Sequence, residues 1–194
     1  MLAHVIDVWR GAGFAEVVVV LGKDAAFLRE RSEEDVLRMS TSESGAGTGA
    51  GAPTRSPVRW VENTDWESGM FSSVRAGLAA ALASEPPSSH VAVSPSDLPF
   101  LRRSSLRTVL EALTLPEAHG ERTLVVPVCG RRRGHPLVVP RALAERVLGW
   151  AADARLNQLF AEPDVRVLHL EGFDETVLAD VDRPADLASA GVPA

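Results

Sequence analysis

The residues most suited to chemistry are two groups of aspartates, each placed after an apolar run and before a proline. Asp97 follows the run at 91–93 and precedes Leu-Pro, and Asp180 and Asp182 precede Arg-Pro. Pro95 should end regular strand pairing and deliver Asp97 to the carboxyl edge of a sheet, where open α/β folds bind their ligands. There Asp97 and Asp182 could share Mg²⁺, which takes protein carboxylates together with phosphate oxygens, while Asp180 fits a supporting position. The alternative, which these residues alone favour, is that Asp97 opens a turn or caps the next helix, and spacing alone does not bring the two groups together.

A histidine and an arginine run form a second candidate group. His135 stands between Gly134 and Pro136, directly after three arginines at 131–133. Gly130 and Gly134, on either side of the arginines, indicate a tight loop, and the arginines of this loop could bind an anionic substrate. The alternatives are a histidine held by a structural hydrogen bond and arginines that face solvent. These residues alone favour the structural alternatives.

Three small residues crowd the start of a helix predicted from Met70. Gly69, Ser72 and Ser73 lie where the free N–H groups and the dipole of that helix favour an anion. The alternative is ordinary capping of the helix by Ser68.

Composition limits the class of protein and its partners. The chain has 194 residues, of which 45% are apolar and 24% charged, enough for one α/β domain with a sizeable core. A net charge of −6 gives no basic surface for nucleic acid. The single cysteine excludes an internal disulfide framework, and no run is long enough to span a membrane. We therefore predict a cytoplasmic protein with no nucleic-acid or membrane partner.

The order of predicted elements is that of one α/β domain over residues 1–194. A helix at 2–9 precedes a continuous β-branched strand at 16–21 and a helix at 24–39. Further strands are predicted at 57–62, 91–93, 123–128, 137–139 and 165–170, and further helices begin near 70, 104, 140, 152 and 184. A parallel sheet normally opens with a strand rather than a helix, so we expect the first strand to be missing.

Residues 40–56 interrupt this order with low-complexity glycine, serine, threonine and alanine. Such a segment buries too little apolar surface to offset its ordering entropy, so we predict a disordered insertion. A phosphate-binding glycine loop is the weaker alternative, because no strand precedes the segment and no lysine is suitably placed.

Six segments of the chain, taken in order, resemble the MobA-like nucleotidyltransferases, most closely the molybdenum cofactor cytidylyltransferase branch. They are AGFAEVVVVLG at 12–22, VENTDWESGMFSSVRAGL at 61–78, SDLPFL at 96–101, GRRRGHPLVVP at 130–140, DARLNQLF at 153–160 and DVDRPADL at 180–187.

The resemblance implies a fold and an activity. The fold would be a three-layer Rossmann-like α/β domain of the nucleotide-diphospho-sugar transferase type, with a mostly parallel sheet. The enzyme would transfer CMP from CTP to a phosphorylated acceptor, the molybdopterin cofactor, with Mg²⁺ as cofactor and with release of pyrophosphate. The implied roles are metal binding and catalysis for Asp97 and Asp182, nucleotide binding for Gly69, Ser72 and Ser73, and acceptor binding for Gly134 and His135.

Three departures from the family pattern accompany the resemblance. Phe71 stands where the family often has a small residue, and Arg183 replaces the threonine of the closing Asp-Thr-Pro. The family also opens with a strand and the loop L-A-A-G-x-S-x-R-M-G-x-x-K, which supplies backbone N–H groups, an arginine and a lysine to the triphosphate.

Because neither the strand nor the loop is present in these residues, we expect Met1 to be an internal methionine and this form to bind NTP–Mg²⁺ weakly. The alternatives are a guanylyl- or sugar-phosphate nucleotidyltransferase of the same superfamily, or a non-catalytic remnant or binding module.

Overall fold

The computed structural model of the chain describes residues 1–42 and 55–181. Its helices and strands alternate as the sequence predicts, with small differences at their ends. The helices are α1 (Leu2–Arg10), α2 (Ala25–Ser42), α3 (Met70–Leu82), α4 (Arg103–Ala112) and α5 (Arg141–Leu148). The strands are β1 (Val17–Leu21), β2 (Val58–Glu62), β3 (His90–Val93), β4 (Thr123–Cys129), β5 (Arg132–Arg133), β6 (Leu137–Pro140) and β7 (Arg166–Leu170). The helix expected near 152 is a 3₁₀ turn at Leu156–Ala161, and the one expected near 184 lies outside the described residues.

The strands form two sheets with helices packed against them, which confirms the α/β prediction. β1 and β2 pair in parallel, from Val17 opposite Val58 to Leu21 opposite Glu62. In the second sheet the order is β3, β6, β4, with β7 parallel to β4 and the short β5 antiparallel to it. β6 runs antiparallel to both of its neighbours, β3 and β4. The chain passes from β4 to β6 through β5 without a crossover helix, as an antiparallel pair allows.

Helix α3 connects the two sheets. Within the described ranges, β1 pairs only with β2 and β3 pairs only with β6, so each of these two strands lies at an edge of its sheet. α3 packs against both β1 and β3. The approach to β1 is close, since a Cβ at Gly77 would lie 3.0 Å from Val20 Cγ2.

Strand β2 runs antiparallel to α3. Arg59 in β2 donates a hydrogen bond to the carbonyl of Ala80 near the end of the helix, at 2.9 Å. Asn63, directly after β2, donates to Ser72 Oγ at the start of the helix, at 2.7 Å. The carboxyl end of β2, and of its parallel neighbour β1, therefore lies beside the first turn of α3.

Strand β3 starts near the other end of the same helix. Arg141 donates to the carbonyl of Leu82 at 3.2 Å, and its backbone N–H donates to Ser89, immediately before β3, at 2.8 Å. β3 therefore begins where α3 ends and runs in the direction of β1 and β2. This topology brings the carboxyl ends of the parallel strands to one edge of the molecule.

The largest apolar core lies between the second sheet and helices α3 and α5. Its fully buried members include Leu78, Leu124, Val139, Leu143 and Val147. No helix in the described ranges is both long and apolar enough to cross a membrane.

Most of the insertion predicted at 40–56 lies outside the described residues, but the structure describes both of its ends. α2 continues to Ser42, and residues 43–54 lie outside the described residues. Arg55 pairs with Asp7, which is only 5% exposed. The N–H of Ser56 donates to the carbonyl of Arg10 at 3.2 Å. These contacts fix Arg55 and Ser56 against α1, because a buried carboxylate needs a charged partner.

Deletion of residues 43–53 should leave the free energy of unfolding nearly unchanged, because loop closure entropy depends only weakly on loop length. A deletion extended through Ser56 should lower it by about 2 kcal/mol, since Asp7 would lose one of its charge-assisted hydrogen bonds. Urea unfolding of both variants checks this. Equal losses in the two variants would contradict the assigned role of Arg55 and Ser56.

Candidate active site

Asp97 lies beyond the carboxyl end of β3 with one carboxylate oxygen left unbonded. Its Oδ1 is buried and has no hydrogen-bond partner in the described part of the chain. Asp97 does not cap the next helix, because α4 begins at Arg103 with Arg102 at its N-cap. Leu98 and Leu101 are buried and fix the chain that follows. A buried carboxylate oxygen without a protein donor is costly and is often completed by an ion or a ligand.

The second acidic group approaches Asp97 through the backbone. The N–H of Val181 donates to the carbonyl of Asp97 at 2.9 Å, although the two residues are far apart in sequence. Asp180, the preceding residue, is exposed. Asp182, the second predicted metal ligand, lies outside the described residues. The structure thus brings the segment that leads to Asp182 beside Asp97, which spacing alone could not establish.

The unbonded oxygen of Asp97 fits a hard divalent cation, because Mg²⁺ prefers carboxylate oxygen and completes its shell with water and substrate phosphates. Within residues 1–42 and 55–181, no three His, Cys, Asp or Glu side chains are grouped so that they could hold a metal ion. A Mg²⁺ site at this edge therefore needs ligands from a bound nucleotide, from water or from Asp182.

His135 lies between β3 and the segment that leads to Val181. Its backbone N–H donates to the carbonyl of Val177 at 2.8 Å. Burial lowers the pKa of His135, and a hydrogen bond to the backbone of Val93 and the negative charges of Asp97 and Asp180 partly oppose that shift. The ring is therefore neutral near pH 7. Its Nδ1 is buried and has no hydrogen-bond partner among the described residues.

Gly134 allows the C-terminal segment to approach His135. A Cβ at this position would lie 2.5 Å from Val177 Cγ2 and 2.7 Å from the Val177 carbonyl oxygen. Its own N–H donates to Pro127 at 2.8 Å. The role visible at Gly134 is thus close packing, which holds His135 beside the carboxyl end of β3.

The three predicted nucleotide-binding residues lie together at the first turn of α3. Gly69 is the N-cap with φ +110° and ψ 174°, in the region that favours glycine, and a Cβ there would meet nothing within 4 Å. The Ser72 and Ser73 hydroxyl oxygens accept hydrogen bonds from Asn63 Nδ2 at 2.7 and 3.0 Å. Ser72 also donates to the carbonyl of Gly69 at 2.8 Å. The cluster is thus pre-ordered beside open space.

Asn63 is the residue that organises this cluster, and sequence reasoning missed it. It is only 6% exposed, its Oδ1 accepts from the N–H of Asp65 at 3.0 Å, and its own N–H donates to Leu21 at 2.7 Å. These bonds connect the end of β1, the loop after β2 and the start of α3. The one available signal was an asparagine directly after a strand, which also reads as an ordinary turn residue.

Phe71, the bulky departure from the family pattern, faces the core. It is 6% exposed, and its ring is stacked against Trp150 with the two centroids 6.4 Å apart. Its side chain therefore fills space between α3 and the residues after α5. The Phe71 side chain does not cover Gly69, Ser72 and Ser73.

Comparisons with known proteins agree with this arrangement. The model of the MobA-like NTP transferase domain matches residues 1–167. No curated protein sequence matches the chain.

Three solved structures share the fold at low identity. Rv0371c from Mycobacterium tuberculosis, solved in complex with manganese, is 23% identical with a TM-score of 0.60 over 97% of this chain and 83% of its own. A nucleotidyl transferase from Methanothermobacter is 19% identical with a TM-score of 0.67 over 97% of this chain and 77% of its own. The 4-diphosphocytidyl-2C-methyl-D-erythritol synthase from Anaerococcus prevotii is 13% identical with a TM-score of 0.63 over 97% of this chain and 86% of its own. Two of these neighbours are named for nucleotidyl transfer, the Methanothermobacter protein and the Anaerococcus synthase, and the likeness to all three is one of fold.

Proposed function

This chain belongs to the MobA-like NTP transferase family, and we propose that its reaction is the transfer of CMP from CTP to the molybdopterin cofactor with release of pyrophosphate. The observation that carries the proposal is the buried, unbonded Oδ1 of Asp97 at the edge where the parallel strands end. Open α/β sheets bind nucleotides at this edge.

Asp97 is the proposed ligand of Mg²⁺, with Asp182 as the second carboxylate. When bound, the ion would neutralise charge on the phosphates during transfer. The hydrogen bond from Val181 to the carbonyl of Asp97 supports the proximity of the two carboxylates, since Asp182 is the next residue. Manganese in the Rv0371c structure is consistent with a divalent ion in this fold.

Ser73 and the first turn of α3 are the proposed contacts for CTP. The Ser73 hydroxyl oxygen accepts from Asn63, and no acceptor for its proton is present among the described residues. That proton, and the N–H groups of the first turn, are therefore available to an anionic or carbonyl oxygen of the nucleotide. The resemblance of the segment from Gly69 to Ser73 to the cytidylyltransferase branch supports CTP over other nucleotides.

His135 is the proposed contact for the acceptor phosphate. Burial lowers its pKa, which favours the neutral ring, and its Nδ1 has no hydrogen-bond partner in the described part of the chain. We assign to Nδ1 the role of acceptor, in which it takes a proton from a protonated acceptor phosphate before that phosphate attacks. Gly134 contributes by holding the ring in this position.

The test is pyrophosphate release from CTP, GTP, ATP or UTP with Mg²⁺ and the molybdopterin cofactor, with the nucleotide adduct identified by mass. We expect CTP to be used preferentially and Ser73→Ala to weaken CTP binding about tenfold, the loss of one hydrogen bond to a charged group. Ser68→Ala is the matched control, because the Ser68 hydroxyl bonds only to Asp65 within the part of the chain that the structure describes. Preference for GTP would favour the guanylyl alternative, and equal effects of the two serine variants would contradict the assigned role of Ser73.

A further inference from the structure

A recess at the same edge of the molecule as the candidate active site has a positively charged lining. It has a volume of about 630 Å³ and is lined by Val128, Gly130, Arg131, Arg133, His169 and Glu171. These residues lie at the ends of β4 and β7 and in the hairpin between β4 and β5. The volume is in the range of small-molecule sites in proteins.

Arg133 is held in place before any ligand arrives. Its guanidinium carbon lies 4.2 Å from the centroid of the Phe160 ring, and its Nε donates to His169 Nε2 at 3.3 Å. Both terminal nitrogens lack a protein partner in the described part of the chain. A guanidinium fixed by stacking loses little side-chain entropy on binding an oxyanion, which it can bind through two donors.

Arg131 and Arg133 line the recess, whereas Arg132 between them does not. Arg131 has no ion pair or hydrogen bond among the described residues, and Glu171 is the one carboxylate in the recess lining. His169 accepts from Arg133 at Nε2, which leaves Nδ1 as the nitrogen that can donate. The lining thus carries hydrogen-bond donors on Arg131, Arg133 and His169 against the single carboxylate of Glu171.

The recess lies apart from Asp97 along the sheet edge. The order β3, β6, β4 and then β7 puts two to three strand spacings, about 10–14 Å, between the end of β3 and the recess. A phosphate that reacts beside Asp97 does not fill it. Arg133 in the recess and His135 beside β3 belong to the same short segment of the chain. One molecule about 10–14 Å long can therefore contact both the recess and the site at Asp97.

We propose that the recess binds a second negatively charged group of the acceptor, about 10–14 Å from the phosphate that reacts. This inference rests on the proposed function for the identity of the ligand. The site itself, an oxyanion site built by Arg131, Arg133 and His169, rests on the contacts above.

The first experiment titrates the protein with inorganic phosphate and follows backbone and arginine side-chain NMR signals. Signals of Gly130, Arg133 and His169 should shift together and saturate. Arg133→Gln should weaken phosphate binding about tenfold, because a charge-assisted pair of bonds is lost. Arg132→Gln should not change it, and Glu171→Gln should strengthen it. Equal weakening by Arg132→Gln and Arg133→Gln, or shifts that do not saturate, would overturn the site.

The second experiment separates the site from the acceptor assignment. In the CTP-dependent assay, Arg133→Gln should raise KM for the acceptor at least fivefold, which corresponds to a loss of about 1 kcal/mol of acceptor binding. KM for CTP should stay unchanged. Phosphate binding in the recess with an unchanged acceptor KM would overturn the acceptor assignment. If nucleotidyl transfer itself is absent, the phosphate titration still decides whether the site exists, because it needs no nucleotide.

Discussion

Asp97→Asn should reduce nucleotidyl transfer by about a thousandfold or more, with almost no change in melting temperature. The loss is expected because the amide retains the shape of the side chain but not the charge that holds a divalent ion against the phosphates. Stability should be preserved because Oδ1 of Asp97 has no protein donor to lose among the described residues. Steady-state kinetics and thermal unfolding of the same preparation give the two readings.

Asp180→Asn is the control for this prediction. Asp180 is exposed and its charge acts on His135, so we expect a smaller loss of activity than for Asp97. Turnover near that of the wild type in Asp97→Asn would rule out the metal assignment. A large fall in melting temperature would instead mean that Asp97 has a structural role.

Gly134→Ala should lower the free energy of unfolding by about 3 kcal/mol and also reduce activity. The added methyl group would lie 2.7 Å from the backbone carbonyl oxygen of Val177, so the segment from Val177 to Val181 has to move. That movement breaks the 2.8 Å hydrogen bond from His135 to Val177 and displaces the ring from the edge of the sheet. Urea unfolding and the CTP-dependent assay measure the two effects.

Gly149→Ala is a suitable comparison, because Gly149 has φ −84° and a Cβ there would have its nearest neighbour at an ordinary 3.5 Å. It should be almost neutral in both measurements. Wild-type stability in Gly134→Ala would show that the segment from Val177 to Val181 does not pack closely against Gly134.

The sequence predicted the elements of the fold well, because they depend on local signals. The β-branched run before Gly22 and the proline after β3 are each readable within a few residues. The side-chain direction of Phe71 was also available, since Phe71, Val74 and Leu78 share one face of α3.

What the sequence could not predict were contacts between distant parts of the chain. The hydrogen bond between Val181 and Asp97, and the stacking of Arg133 on Phe160, depend on how loops from different strands meet. The contacts of Arg55 and Ser56 are of the same kind. Arg55 and Ser56 continue a low-complexity segment in sequence, and only their partners on α1 show that they are ordered.

The most direct test of the account is the position of a divalent ion in crystals grown with CTP and manganese, located by anomalous scattering. The account predicts a peak within about 2.5 Å of Asp97 Oδ1 and in contact with the phosphates of CTP. A manganese peak elsewhere, or an Asp97 carboxylate hydrogen-bonded to a protein donor with CTP bound at another place, would contradict it.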